Sequence, residues 1–358
     1  MSMKKPASLL AFVGALALVV TGPASVASPM LPGHLPAQDT PASSPVGDVN
    51  TALTSKDGQT QEADSPGQDP ARVVGIIVQL ADGTDRAAAL SSVNEAVAGV
   101  FPNASVSVER EYANVLDGFA LKAPAGSLDA IRKAPGVTAA FLEREGHVSD
   151  VAAVDAEGGT RASRVEGQDP ANLSAQLMMR TDQVTQKGEG TVIAVIDTGV
   201  DMTHQAFTPA LAATPALSED AVDALRPKLG QGTTGVYVNE KFPFAYDYAD
   251  GDNDASPAGA HGTHVAGITA ANGDQIMGIA PDAQIIVAKV ARSRGGGIPD
   301  SALLAALDDM ATLHPDAVNM SLGRTAGMDS DSDTLFAGVY EKLQEKGITL
   351  DVAGGNEF

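Results

Sequence analysis

The apolar positions of the chain fall into two patterned blocks separated by polar stretches. In the first block Val73 to Leu80 (VVGIIVQL) is a strand-like run, and Asp85 to Phe101 carries Leu90, Val93, Val97 and Val100 at helical spacing. Ser105 to Glu109 alternates as a strand, and Gly118 to Lys122 (GFALK) predicts another. Ser127 to Lys133 reads as a short helix with Ser127 as its N-cap, and Val137 to Leu142 (VTAAFL) closes the unit. The order strand, helix, strand, strand, helix, strand is the split βαβ, ferredoxin-like α+β arrangement. On its own that small fold carries no function.

The second block alternates strands with amphipathic helices. Ser174 to Lys187 predicts a short helix, and Val192 to Ile196 (VIAVI) a buried strand that ends in an Asp-Thr-Gly turn. Ile285 to Val290 (IIVAKV) predicts a second strand, Asp300 to Leu313 a helix and Ala317 to Met320 a third strand. A helix at Thr334 to Lys346 and a strand at Ile348 to Ala353 complete the pattern. This alternation predicts an α/β domain with a mainly parallel sheet and flanking helices. There is no internal repeat.

The stretches outside these blocks have their own signatures. Lys4 and Lys5, the uncharged run Leu9 to Val20, and the small residues Ser25 and Ala27 form a secretory signal over 1–27, too short to span a bilayer. Residues 28–71 are rich in Pro, Ser, Asp, Gly and Gln and predict a flexible leader. A second loose stretch, 150–173, predicts a linker open to proteolysis between a unit at 72–149 and one at 174–358. With no second long apolar segment, no membrane span is expected once the signal is removed. The product is expected to be secreted or cell-wall associated.

Composition narrows the function classes. There is no cysteine, so an exported chain of this kind must rely on its core rather than on disulfides. The 45 acidic against 23 basic residues, a formal charge of −22, argue against nucleic acid as a partner. A nucleotide-binding reading lacks a Gly-rich phosphate loop after the first strand of the α/β block.

Three strand or helix ends bear chemistry. Asp197 follows VIAVI directly, where a carboxylate is partly desolvated and needs a partner, unless it serves merely as a turn or cap residue. His261 and His264 open an apolar helix in HGTHVAG, three residues apart. A zinc site would need histidines four apart and an adjacent glutamate, and has neither. At the last strand, Ala353-Gly354-Gly355-Asn356 could present an amide donor to a developing oxyanion, although Gly-Gly-Asn is also an ordinary turn.

In this order and context the segments resemble the subtilisin-like serine peptidases, the subtilases. IDTGVD around Asp197 looks like that family's aspartate motif, and HGTHVAG like its histidine motif. The resemblance implies His261 as general base, with Asp197 holding the imidazole and Asn356 as oxyanion donor. It further implies Ser321, Leu322 and Gly323 as the backbone that pairs with substrate, protein or peptide substrates, and no cofactor. The unit at 72–149 stands where subtilases carry a propeptide that assists folding and inhibits the enzyme from within the chain. Residues 239–254 (NEKFPFAYDYADGDND) resemble the larger lactocepin-type cell-envelope proteinases.

Departures matter equally. The family's Gly-Thr-Ser-Met-Ala nucleophile segment does not occur in these 358 residues, so the chain alone is expected to be proteolytically inactive. The alternative is a non-catalytic secreted peptide-binding or inhibitor-like product. Asp351 stands where the family is usually apolar. Asp250, Asp252 and Asp254, and then Asp329, Asp331 and Asp333, raise calcium as a candidate, but neither set has the Gly and Glu of an EF-hand, so both read as solvated loops.

Overall fold

The computed structural model describes residues 69–146, 179–208, 211–230, 232–273, 276–323 and 330–353, all within one compact unit. The expected signal and linker, the expected leader up to residue 68, and Asn356 lie outside them. In chain order the elements are β1 (Val73–Leu80), α1 (Arg86–Val100), β2 (Ser107–Tyr112), β3 (Gly118–Pro124), α2 (Leu128–Ile131), β4 (Val137–Leu142) and β5 (Glu145–Gly146). There follow β6 (Val192–Asp197), α3 (Glu219–Leu225), β7 (Phe244–Asp247), α4 (Ala260–Ala270), β8 (Gln284–Lys289) and β9 (Ile298–Pro299). Last come α5 (Asp300–Leu313), β10 (Ala317–Met320), α6 (Ser330–Glu345) and β11 (Thr349–Val352).

Strands β6 and β8 are buried at every residue because both faces of their sheet are covered. The two-residue period divides them: Val192, Ala194 and Ile196 pack on one side with α5 and α6, while Ile193 and Val195 pack on the other with Val265, Ala266 and Ala270 of α4. The sheet is parallel, in the order β11-β10-β6-β8-β7. The chain passes from β8 through α5 to β10 on the far side of β6. The carboxyl end of β6 is therefore the switch point at which an open α/β sheet forms a crevice.

The first block forms an antiparallel sheet, β2-β3-β1-β4. Ile76, Val78 and Leu80 face Ala89, Val93 and Val97 of α1 and Ile131 of α2. Ile77, Tyr112, Ala120 and Phe141, on the other face, share a continuous apolar core with α5 and α6. Burial on both faces is why β1 reads as an unbroken apolar run rather than an alternating one.

Polar contacts fix this packing. Asp308 of α5 is buried, and its carboxylate accepts from the backbone N–H groups of Ala113 (3.0 Å), Asn114 (2.9 Å) and Val115 (2.8 Å). The Asn114 side-chain amide adds a fourth bond at 3.1 Å. Tyr112 donates to the Ser301 carbonyl at 3.1 Å, and Arg110 donates to the Tyr248 carbonyl. Neighbouring Asp309 accepts from Gly230 N–H (2.6 Å) and the Tyr248 hydroxyl (3.0 Å), and burial pushes its carboxyl up to about 6.

Four local expectations are corrected. Ser127 does not cap α2: it sits in a helical conformation at the end of a 3-10 turn and donates to the Pro124 carbonyl at 2.6 Å. Within the described part of 174–187 the chain is helical at residue 179 and passes through a 3-10 turn, Thr181–Gln183, so the helix expected there ends short of Lys187. Strand β2 starts two residues later and ends three residues later than its alternation suggested, at Tyr112. Residues 331 and 333 lie at the start of α6 rather than in a loop, and residue 329 of the same set is outside the described residues.

Truncating Asp308 to Ala strands three backbone N–H groups at a buried junction. Urea unfolding should show a loss of roughly 3 kcal/mol, and hydrogen exchange should accelerate at Ala113, Asn114 and Val115. Unchanged protection there would refute the anchoring role.

Candidate active site

Asp197 ends β6, buried, with its side chain on the α4 face of the sheet. One carboxylate oxygen accepts from Thr198 N–H at 2.7 Å and from the Thr198 hydroxyl at 3.1 Å. The same carboxylate meets His261 Nδ1 at 2.8 Å and 3.0 Å through its two oxygens. An ionised carboxylate only accepts, so Nδ1 carries the proton and Nε2 is left as the basic nitrogen. The hydrogen bond from Asp197 raises the His261 pKa above that of a free imidazole, against the opposing effect of burial.

The residues around this pair explain both motifs. Gly199 has φ +92°, and a Cβ there would come within 2.7 Å of the Ala255 and Ser256 carbonyls, so the turn after Asp-Thr needs glycine. A Cβ at Gly262 would lie 2.2 Å from the Gly199 carbonyl, so the residue after His261 is held small by close approach of the two motifs. Gly262 N–H donates to the Thr198 hydroxyl at 3.0 Å, and Asp201 N–H donates to the Thr263 hydroxyl at 2.9 Å. Thr198 thus receives from the histidine helix and donates to the aspartate. Neither threonine was singled out from the sequence, although both lie inside the quoted motifs.

His264, three residues along α4, is exposed and does not share the carboxylate. Among the described residues no group of three His, Asp or Glu side chains could hold a metal ion. The carboxylates of Asp250, Asp252 and Asp254 accept from the backbone N–H groups of Ser293, Asp254 and Ser256. A further pair went unread in the sequence. Lys289, level with both Asp197 and Asp247 in the sheet, forms a buried ion pair with Asp247 at 2.7 Å. Burial raises the Asp247 pKa, and the Lys289 ammonium opposes that. A lysine closing an apolar strand is as unusual as the aspartate closing β6, and it was the available signal.

Ser321, Leu322 and Gly323 follow β10. The Ser321 hydroxyl donates to the Asn319 side chain at 3.1 Å, and the Asn319 amide points at Asp351 across 3.5 Å, which gives Asp351 a polar neighbour. Leu322 and Gly323 line a cleft of about 190 Å³ with Met320, Ile298, Leu303, Tyr340, Val352 and Ala353. Gly146 of β5 lies in the same cleft, because β5 pairs antiparallel with β9, Glu145 opposite Pro299 and Gly146 opposite Ile298. The β5 segment of the chain itself thus forms one wall of the cleft.

The His261–Asp197 pair makes a pH prediction. A raised folded pKa stabilises the fold fully below the free imidazole value of about 6.5, and that contribution fades as pH rises through the folded value. Imidazole NMR titration should place His261 above the free value in the native chain. In Asp197→Asn it should fall below that value, because burial then acts unopposed. An unshifted titration in the variant would show the pair to be unimportant.

Comparison with known proteins agrees with this geometry. A profile of the subtilase family matches residues 188–358. The PI-type proteinase of Lactococcus lactis subsp. cremoris is 28% identical over 280 residues, covering 75% of this chain and 13% of that protein. A match of that extent reaches upstream of residue 188, into the first block. The C5a peptidase of Streptococcus pyogenes serotype M6 is 29% identical over 179 residues, 48% of this chain and 15% of that protein. The chain therefore spans only 13% to 15% of the length of these curated relatives. Among solved structures, fervidolysin of Fervidobacterium pennivorans, a keratinolytic enzyme related to subtilisin, aligns with TM-score 0.50 and 18% identity over 80% of this chain and 40% of that one. Fold, paired motifs and profile converge on the same stretch: residues 188–358 match the subtilase family of peptidases.

Proposed function

We propose that the chain is the inhibitor-bearing front part of a secreted or cell-wall-associated serine endopeptidase that cleaves protein or peptide substrates by acyl transfer. The observation that carries this reading is the buried Asp197 holding His261 Nδ1 at 2.8 Å, which leaves Nε2 free to take a proton. His261 accepts the proton of a serine hydroxyl as that oxygen attacks the scissile carbonyl, then delivers it to the leaving amine. Asp197 fixes the tautomer and stabilises the imidazolium. Asn356 donates to the oxyanion of the tetrahedral intermediate. Ser321, Leu322 and Gly323 offer the strand edge along which substrate lies. The nucleophile belongs to a Gly-Thr-Ser-Met-Ala segment, which is absent from residues 1–358.

The unit of β1–β4 acts as an intramolecular inhibitor in this scheme. Its anchoring to α5 through Asp308, and the seating of Glu145 and Gly146 on β9, support that role.

The test compares two products of the gene. The 358-residue chain should not hydrolyse a fluorescent casein-type substrate. A longer product carrying the serine segment should hydrolyse it after removal of the β1–β4 unit. His261→Ala in that product should lower kcat by on the order of 10⁶-fold, the size known for removing the histidine of subtilisin. Activity that survives His261→Ala would sink the mechanism. A gene with no serine segment would leave the non-catalytic peptide-binding reading in its place.

A further inference from the structure

We infer that Asp247 is a positioning residue for the His261–Asp197 pair: by holding the Lys289 ammonium, it keeps that cation from the Asp197 carboxylate and leaves the carboxylate to the imidazole. The inference rests on the proposed role of His261 as the base. It assigns work to two buried groups that the proton transfers themselves do not use.

The sheet puts the three groups in a row. Asp197 of β6, Lys289 of β8 and Asp247 of β7 share one register level, and all three are buried. The two-residue period sends their side chains to the same face, that of Ile193, Val195, Ala245, Ile285 and Val287, which packs on α4. Lys289 belongs to the middle strand, so it stands one strand spacing, about 4.8 Å, from an aspartate on either side. Its stem also runs along the turn that follows Asp197, since a Cβ on Gly199 would meet Lys289 Cδ at 3.0 Å.

Charge decides what this row can do. Two carboxylates share one ammonium away from water, so one of them needs another donor. The ammonium goes to Asp247 at 2.7 Å, and the imidazole goes to Asp197 at 2.8 Å. That division is built in. Asp247 Oδ1 accepts from the N–H groups of Ala249 (2.8 Å) and Asp250 (2.9 Å), which fixes the side chain with Oδ2 on Lys289. The ammonium also donates to the Ser293 hydroxyl at 2.7 Å and to the Asp254 carbonyl at 3.4 Å. The carboxylates of Asp250 and Asp254, which also face the ammonium, are exposed and accept from the N–H groups of Ser293 and Ser256. Arg292 further offsets Asp250, so neither replaces Asp247. With Asp247 neutral, the buried anion left beside Lys289 is Asp197, and an ammonium there competes with His261 Nδ1 for the same oxygens.

The test follows the His261 imidazole by NMR in the 358-residue chain. It needs no hydrolysis, so its failure is distinct from failure of the peptidase reading. Asp247→Asn keeps an acceptor for the Ala249 and Asp250 N–H groups and removes the charge. His261 should then bind its proton about tenfold more weakly than in the native chain, and its low-field Nδ1 proton signal should weaken. Adding Lys289→Met should return both to their native values, because no ammonium is left to compete. A shift that persists in the double variant marks a distorted loop and overturns the inference, as does an unshifted His261 in Asp247→Asn. Should Asp247→Asn not fold, Ser293→Ala carries the comparison, since it frees the ammonium from one acceptor at an exposed position. It should weaken proton binding by His261 in the same direction, and an unchanged titration there overturns the inference equally.

Discussion

A carboxylate at the end of a strand buried on both faces must be paired, and much of the α/β unit is arranged to pair Asp197. Burial of β6 strips water from the side chain, and an unpaired charge there would cost several kcal/mol. Its partners come from elements distant in sequence: Thr198 from the turn, and His261 from α4, seated by a glycine that lets helix and turn touch. The strain-tolerant Gly199, the small Gly262 and the two threonine bonds all serve one separation, 2.8 Å between carboxylate and imidazole. Packing and chemistry are here the same constraint, because what makes the carboxylate tolerable in the core is what sets the tautomer of the imidazole.

Helix α5 holds the molecule's other junction. One side packs against the parallel sheet, and the antiparallel sheet of the first block lies on the same continuous apolar core. Its N-terminus takes Glu143 and the Arg144 carbonyl, while Asp308 near its other end takes the turn at Ala113–Val115. Both contacts match partial charge to charge: a carboxylate meets helix N–H groups at one end, and strand-end N–H groups meet a helix carboxylate at the other. The first block is thereby fastened at two points along α5, which orients the β5 segment along β9 instead of leaving it merely tethered.

Much of this was legible in the sequence, and the limits of legibility are physical. Strand β6, α5 and β10 stand where their patterns put them, because core strands and amphipathic helices advertise burial in composition. The Asp197 and His261 motifs were legible since Gly199, Gly262, Thr198 and Thr263 in them answer local contacts. Strand β7 was not, because Phe244–Asp247 becomes a strand only by pairing with β8. Strands β5 and β9, two residues each and containing Gly and Pro, exist only through each other. Helix α3 offered a signal that went unread: Ser218 accepts from Ala221 N–H, ahead of two acids in the first turn. Asp308 and Asp309 fall on what a helical pattern takes for a solvent face. No periodicity reveals that a second sheet and the Gly230 turn will cover them.

Under the proposed function, that burial bears on how an inhibitor is both tight and removable. An apolar junction of this size would hold the first block without specificity, whereas buried carboxylates such as Asp308 make docking conditional on N–H groups arriving in register. A chain cut between the two blocks keeps the same contacts but loses the effective concentration supplied by the linker. Once the block leaves, Asp308 regains water and the donors of α5 are uncovered, so each polar contact that fixed the docked state also stabilises the open one. Polar junctions of this kind cost little to reopen compared with an apolar seal, because both states offer the charges a partner, protein in one and solvent in the other. On that argument, and under the proposed inhibitor role, the register-setting acids of α5, rather than the apolar area around them, decide whether the block can be released.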